Sequence, residues 1–344
     1  MLIDEQAAEI LSEARASASA SQGGNSRVVR VELGGEIYAV KDYSGRIDGR
    51  SRLDREWLAL DYLARLLPGL VARPVWRHAS ATIAIHSWLP GHRPELDSRS
   101  VDALLERAED LHGLRMHERA ADLPPAVDAI RDGSDLLAQV RARCATLATH
   151  ADGMVRSGAQ EVLDTMDLRL RDAPPDGGAG RVNEVGSTAG PVLTLSPSDL
   201  GPHNLLQDPA GIPYRIIDLE FFGVDDAHKL IGDTILHPQN HWDAEMLEQF
   251  LVGAGKVFAF SEARLAGLVP LLALKWSTIV LARIARAVPA PPSPNGERTS
   301  PGSDAPPDDL LQHFLAVARA AHHDDRLGLV CSRGQRSPAT EDSE

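Results

Sequence analysis

Cysteine is nearly absent. Cys144 and Cys331 are the two in 344 residues, far apart and without a pairing pattern. That excludes a disulfide framework and a cysteine-rich zinc site, and it fits a reducing compartment. Positive charge is scarce as well. Thirty-five Lys and Arg stand against 49 Asp and Glu, a net charge of −14. A general nucleic-acid binder would carry a basic patch and is excluded. The acidity serves solubility first and is compatible with a cationic partner. The first twenty residues lack the basic start and apolar centre of a secretory signal. Clean long apolar runs are missing too: the longest, Leu265 to Ala285, is interrupted by Lys275 and Arg283 and reads as a buried helix. The expected location is cytoplasmic, with neither a membrane nor a nucleic-acid polymer as partner. There is no Gly-x-x-x-x-Gly-Lys-Ser/Thr, so a P-loop is unsupported. His237 and His241 are four apart but lack the Glu of His-Glu-x-x-His and have Pro238 between them, a poor zinc pattern.

What is present suits a globular chain of two domains or lobes, with 43% hydrophobic residues to build a core. Residues 4–17 read as a helix. Val28–Leu33 and Glu36–Asp42 alternate around Gly34-Gly35, a hairpin signal. Arg52–Leu67 carries a helical stripe, and Pro74–His78 and Thr82–His86 read as strands. Residues 1–90 thus form a small antiparallel sheet with one inserted helix. Residues 91–325 read as mainly helical, with helices expected over 101–114, 126–149, 153–171, 243–257, 261–288 and 308–321. Short apolar runs at 192–195 and 214–217 interrupt them. The stretches 173–190 and 288–307 are rich in Gly, Pro, Ala and Ser and read as flexible loops, and 326–344 as a disordered tail. The expected class is α+β.

The chemistry concentrates in Ser196-Pro-Ser-Asp-Leu-Gly-Pro-His-Asn204 and Ile216-Ile-Asp-Leu-Glu220. Phosphoryl transfer from a nucleotide needs a carboxylate to take the acceptor's proton, and an Asn and a second carboxylate to hold magnesium. Asp199, Asn204 five residues on, and Asp218 have that order and spacing. Taken singly, Asp199 and Asn204 also suit a turn or cap, and Asp218 suits a partner for Arg215. Glu220 is a metal or water ligand, or a group that orients one. His203 lines the site or packs the loop.

Lys41 closes the apolar strand Ile37-Tyr-Ala-Val-Lys41 and suits a clamp on phosphates. Glu56, fifteen residues later on a helix, suits its partner. A strand-end lysine and a helix-start glutamate have the same local appearance without function. Gly23, Gly24, Asn25 and Ser26 offer backbone N–H groups and a hydroxyl that suit a cover over phosphates, or a plain turn. Trp88, beside His86, sits where an adenine would dock between two halves, or is a junction core residue.

In the order of these elements the chain resembles the aminoglycoside phosphotransferase and choline kinase family. Pro197-Ser-Asp-Leu-Gly-Pro-His-Asn204 lies over that family's His-Gly-Asp-Leu-His-Pro-Gly-Asn, and Ile217-Asp-Leu-Glu220 over Ile-Asp-Trp-Glu. Leu111-His-Gly-Leu114 is similar to its helix-end Leu-His motif. The resemblance covers residues 20–285. It implies a two-lobed, protein-kinase-like fold, with ATP and magnesium as cofactors and transfer of the γ-phosphate to a small-molecule hydroxyl. It makes Asp199 the base, Asn204 and Asp218 metal ligands, Lys41 the phosphate clamp and Glu56 its partner. The family's loop His is Pro197 here.

Pro197 and the incomplete glycine loop leave a second reading, a catalytically weak nucleotide-binding module on a kinase fold. Protein phosphorylation is a third; it lacks an Ala-Pro-Glu after Asp218. The acceptor is open: amino sugar, sugar, amino alcohol or natural product. Asp225, Asp226, Asp233 and Trp242 are expected to contact it.

Overall fold

The computed structural model describes residues 4–16, 20–22, 26–45, 47–171, 190–208, 214–287, 307–320 and 323–334. In chain order the elements are α1 (Asp4–Ala16), β1 (Ala20–Gln22), β2 (Arg27–Leu33), β3 (Glu36–Asp42), α2 (Gly49–Leu66), β4 (Pro74–Arg77), β5 (Ile83–Ser87), α3 (Ser98–Leu114), α4 (Gly133–Ala148), α5 (Gly153–Arg171), β6 (Leu193–Ser196), β7 (Leu205–Leu206), β8 (Arg215–Ile216), β9 (Gly223–Asp226), α6 (Ala227–Leu236), α7 (Ala244–Phe258), α8 (Glu262–Ala287), α9 (Pro307–Arg319) and α10 (His323–Gly334). The class is α+β, a small antiparallel sheet and a larger helical part. The chain divides into two units. One holds Met1–Glu95, Pro124–Val127 and Pro197–Gly223; the other holds Leu96–Leu123, Asp128–Ser196 and Val224–Glu344.

The first unit is built on a five-stranded sheet in the order β1-β2-β3-β5-β4. Gly34 and Gly35 both take positive φ, 62° and 82°, in the two-residue turn that lets Leu33 pair with Glu36. Glycine meets that demand without a Cβ penalty. Strand alternation then gives the sheet two faces. Val29, Val31, Val40 and Ile85 point one way and are covered by Ala7, Ile10 and Ala14, a single stripe on α1. Lys41 and Tyr43 point the other way. Ala84 pairs with Lys41 there, and Leu53 and Trp57 of α2 pack against Tyr43 and Ala84. Each buried Val, Ile or Leu contributes about 1.5–3 kcal/mol. One face therefore supplies cohesion and the other supports a polar site.

Within the segment Pro197–Gly223, Leu205 pairs with Ile216. The segment joins the rest of this unit where Ile216 N donates to Leu70 O at 2.9 Å and where His92 bridges Gln207. Arg215 holds Asp208 at 2.8 Å and donates to Pro90 O at 2.7 Å, so its partner is not Asp218. Gly223 ends the segment against backbone. A Cβ there would lie 2.4 Å from Ala126 N and 2.5 Å from Pro124 O. Gly223→Ala is expected to cost about 1–3 kcal/mol by overpacking. Gly113→Ala, with nothing within 4 Å of its Cβ, should be neutral or slightly stabilising. Thermal melts of the two variants check the contrast.

The second unit is helical. α8 packs against α4, α5, α6 and α9, and α3 against α7. α8 is long and apolar enough to cross a membrane by length and composition, but 72% of its most apolar window is buried inside the protein. β6 pairs with β9.

Three sequence expectations change. Residues 126–132 are not helical. Val127 N donates to Phe221 O and Ile130 N to Asp225 Oδ1, and Asp132 caps α4 by accepting from Ser134 N. Helix α6 was not expected from the sequence. All ten of its residues are buried, so it shows no amphipathic period. Residues 326–334 are helical rather than the start of a tail, because Arg326 is buried and donates to Ala320 O and Ala266 O, and Val330 is buried. Residues 172–189, 288–306 and 335–344, which cover most of the expected loops and tail, lie outside the described residues.

Candidate active site

Lys41 stands on the α2 side of β3, and α2 brings Glu56 to it. Lys41 Nζ lies 2.7 Å from Glu56 Oε2, 2.7 Å from Asp218 Oδ1 and 3.9 Å from Glu220 Oε2. Its side chain is 8% exposed. Burial opposes the ammonium, but the carboxylates of Asp218, Glu56 and Glu220 outweigh it and hold its pKa above the ordinary value. Tyr43, two residues on and thus on the same face, donates its hydroxyl to Glu56 Oε2 at 2.5 Å. Burial and the Glu56 charge raise the phenol well above its usual range, so it stays a donor. Burial also tends to raise Glu56. The Lys41 charge, with hydrogen bonds from Lys41 and Tyr43, reverses that and leaves it below the usual carboxylate range. His86 sits on this face beyond Ala84. Burial pushes it down to about 4.

The loop after β6 is shaped by Ser198, at φ 64°, whose hydroxyl donates to Phe221 O at 3.3 Å. Asp199 follows, and residues 203 and 204 hold it. Asn204 Nδ2 donates to Asp199 O at 3.1 Å, and His203 Nε2 lies 2.9 Å from Asp199 Oδ1. Using its NH₂ on the loop leaves the Asn204 amide oxygen as the group able to meet a cation. Ile217 N donates to Asn204 O at 3.0 Å, which sets Asn204 beside the residue preceding Asp218.

Asp218 adopts φ 62°, the left-handed region that a non-glycine residue enters at a cost of about 1–3 kcal/mol. This turn brings Asp218 and Glu220 to one place. Ligand oxygens of Glu56, Asp218 and Glu220 all lie within 4.8 Å of one another. Glu220 is fully buried. Its Oε1 is paired with Arg52, and its Oε2 has no hydrogen-bond partner. Burial and then the Asp218 charge raise the Glu220 carboxyl to about 7, against the pull of Lys41 and Arg52. The Arg52 guanidinium also lies 4.6 Å from the centre of the Phe221 ring.

The structure thus brings Lys41, Glu56, Asp218 and Glu220 into one cluster and Asp199, His203 and Asn204 into one loop, joined through the Asn204–Ile217 hydrogen bond. Ser26 precedes β2 and is half-buried; Gly23, Gly24 and Asn25 lie outside the described residues. Trp88 borders an open groove of about 400 Å³ with Ile37, Arg73, Ser87 and Pro90.

No protein-family model matches the chain, and no curated protein matches its sequence. Solved structures match its fold. Choline kinase LicA from Streptococcus pneumoniae aligns with a TM-score of 0.54 at 15% identity, over 95% of this chain and 99% of that one. Aminoglycoside phosphotransferase APH(4)-Ia aligns at 0.53 and 16%, over 96% and 99%. Macrolide 2'-phosphotransferase MphH from Brachybacterium faecium aligns at 0.52 and 16%, over 84% and 99%. This is the protein-kinase-like fold of small-molecule phosphotransferases.

Within that fold, two neighbours of the site were missed in the sequence, and each had a local signal. Tyr43 shares the face of Lys41 by strand period, and Arg52 shares the face of Glu56 by its spacing of four on α2. One expectation is overturned. Asp225, Asp226, Asp233 and Trp242 do not line an acceptor site; all four are buried. Lys229 holds Asp225 at 2.7 Å, Arg264 holds Asp226 at 2.6 Å, and Lys275 holds Asp233 at 2.7 Å. Buried carboxylates require such partners, which accounts for their position.

Proposed function

We propose that this protein is an ATP- and magnesium-dependent phosphotransferase that moves the γ-phosphate to a hydroxyl of a small molecule. The observation that carries this reading is the contact of Lys41 Nζ with both Glu56 and Asp218 in a phosphotransferase fold. Lys41 serves the α- and β-phosphates, and Glu56 and Tyr43 hold it in place. Asp199 takes the acceptor's proton. The oxygen-only set of Asn204, Asp218 and Glu220 suits a hard cation, and the buried Oε2 of Glu220, which has the Lys41 ammonium at 3.9 Å but no hydrogen bond, fits an added positive group. Asn204 and Asp218 would hold magnesium, with Glu220 behind them on Arg52. The ion, when bound, supplies neutralisation of charge on the transferring phosphate. Two free cysteines accord with a cytoplasmic location.

Nucleotide binding is tested by thermal shift. ATP with magnesium should raise Tm, by roughly 3 kcal/mol of stabilisation at a hundredfold excess over Kd, and ATP with EDTA should do much less. A screen of hydroxylated amines and sugars read by ADP release tests the reaction. Absence of both a magnesium-dependent shift and ADP release would reject the assignment.

A further inference from the structure

Asp199 is held twice, by consecutive residues of its own loop. Asn204 fixes its main-chain oxygen at 3.1 Å, and His203 Nε2 meets its Oδ1 at 2.9 Å. A carboxylate that is to take a proton must be ionised, and an ionised carboxylate only accepts hydrogen bonds. The imidazole is therefore the donor, with its hydrogen on Nε2. Within the loop, Pro197, Leu200, Gly201 and Pro202 carry no hydrogen-bonding side chain, and Ser198 donates to Phe221 O. His203 itself stands in a rigid place. It is the middle residue of the 3-10 turn Pro202–Asn204, with Pro202 at its start and the Asn204 N–H closed onto Gly201 O at 2.9 Å. The imidazole is also more enclosed than the carboxylate it meets, at 14% against 28% side-chain exposure.

We propose that His203 is the positioning residue of the phosphotransfer site. It fixes the orientation of the Asp199 carboxylate by the Nε2–H···Oδ1 bond. This rests on the phosphotransferase reading above. In the step it serves, the acceptor O–H bond breaks and the proton goes to Asp199. The acceptor oxygen bonds to the γ-phosphorus as the bond from phosphorus to the leaving oxygen of ADP breaks. His203 does not touch the reacting atoms. Its contribution is orientation, a property to which rate is sensitive at the ångström level.

The test uses the full-length protein, an acceptor found by ADP release, and three variants. His203→Phe removes the donor and should lower kcat roughly 10–100-fold, with KM for ATP and the magnesium-dependent thermal shift unchanged. His203→Gln places an amide N–H near the Nε2 position and should recover most of kcat. His203→Asn reaches only the Nδ1 position and should not. The Gln and Asn variants differ by one methylene, so their kcat ratio, expected near tenfold, decides the matter even if the Phe variant fails to fold. Equal kcat in Gln and Asn, or a Phe variant within about threefold of wild type, overturns the inference while the reaction stands. A wild-type protein that releases no ADP with any acceptor rejects the reaction and the inference with it.

Discussion

Replacing Asp199 with Asn is expected to lower kcat by about 10²–10⁴-fold while leaving MgATP binding intact. The reasoning is atomic. Asn keeps the shape of Asp and retains an oxygen that can accept the bond from His203 Nε2, now 2.9 Å away. Its main-chain oxygen still receives Asn204 Nδ2. What Asn loses is the ability to take a proton from an acceptor hydroxyl at neutral pH. The groups proposed for the nucleotide, Lys41 with Glu56 and Tyr43, are held by their own ion pair and hydrogen bonds and do not depend on Asp199. Calorimetry with ATP and magnesium should therefore give wild-type affinity, and the loss should fall on kcat rather than KM. Turnover within a few-fold of wild type would remove Asp199 from the role of base. The contrast with His203→Phe is informative, since one variant keeps the geometry and loses the base while the other keeps the base and loses the geometry.

Much of the candidate site's arrangement was legible in the sequence because the relations between its residues are local. Asp199 and Asn204 lie on one loop, and Lys41 lies near the end of a strand whose alternation sends it away from the α1 face. Glu56 lies on the next helix, α2. These relations follow from periods of two and 3.6 residues. The unread parts depend on partners distant in sequence. Arg52 meets Glu220 across 168 positions, and nothing near either residue announces it. The left-handed turn at Asp218 was hidden because Ile216-Ile217 reads as a strand that would simply continue. Helix α6 escaped notice for the opposite reason: burial on every side erases the stripe by which a helix is read. The same burial turned Asp225, Asp226 and Asp233 from an apparent polar surface into core residues. Their cations are Lys229, near in sequence, and Arg264 and Lys275, about forty residues away.

Replacing Asp226 with Ala should be strongly destabilising, at about 3–5 kcal/mol. Asp226 is fully buried. Its Oδ2 receives Arg264 Nε at 3.0 Å and Nη2 at 2.6 Å, and its Oδ1 receives His228 N at 3.1 Å and meets His228 Nδ1 at 2.7 Å. Asp226 therefore caps α6, anchors α8 through Arg264, and fixes the His228 ring, which accepts from Ser261 N at 3.0 Å. Its removal strands a buried guanidinium as well as breaking bonds, and the stranded charge is the larger cost. Tm should fall by on the order of 10 °C. Asp226→Leu combined with Arg264→Met should recover part of the loss, because no charge is then left unpaired. A double variant no more stable than Asp226→Leu alone would assign the loss to the cap and the histidine instead. Acid gives a second check with a definite sign. Burial alone would raise the Asp226 carboxyl, but the bonds and charges of His228 and Arg264 outweigh it and hold it below the usual range. A depressed folded-state pKa stabilises above the unfolded value of about 3.9 and loses that contribution as pH falls through the folded one. The stability gap between wild type and Asp226→Ala should thus be constant near neutrality and narrow below about pH 4. A gap that holds its full size into strong acid would mean that the carboxylate charge is not what joins α6 to α8.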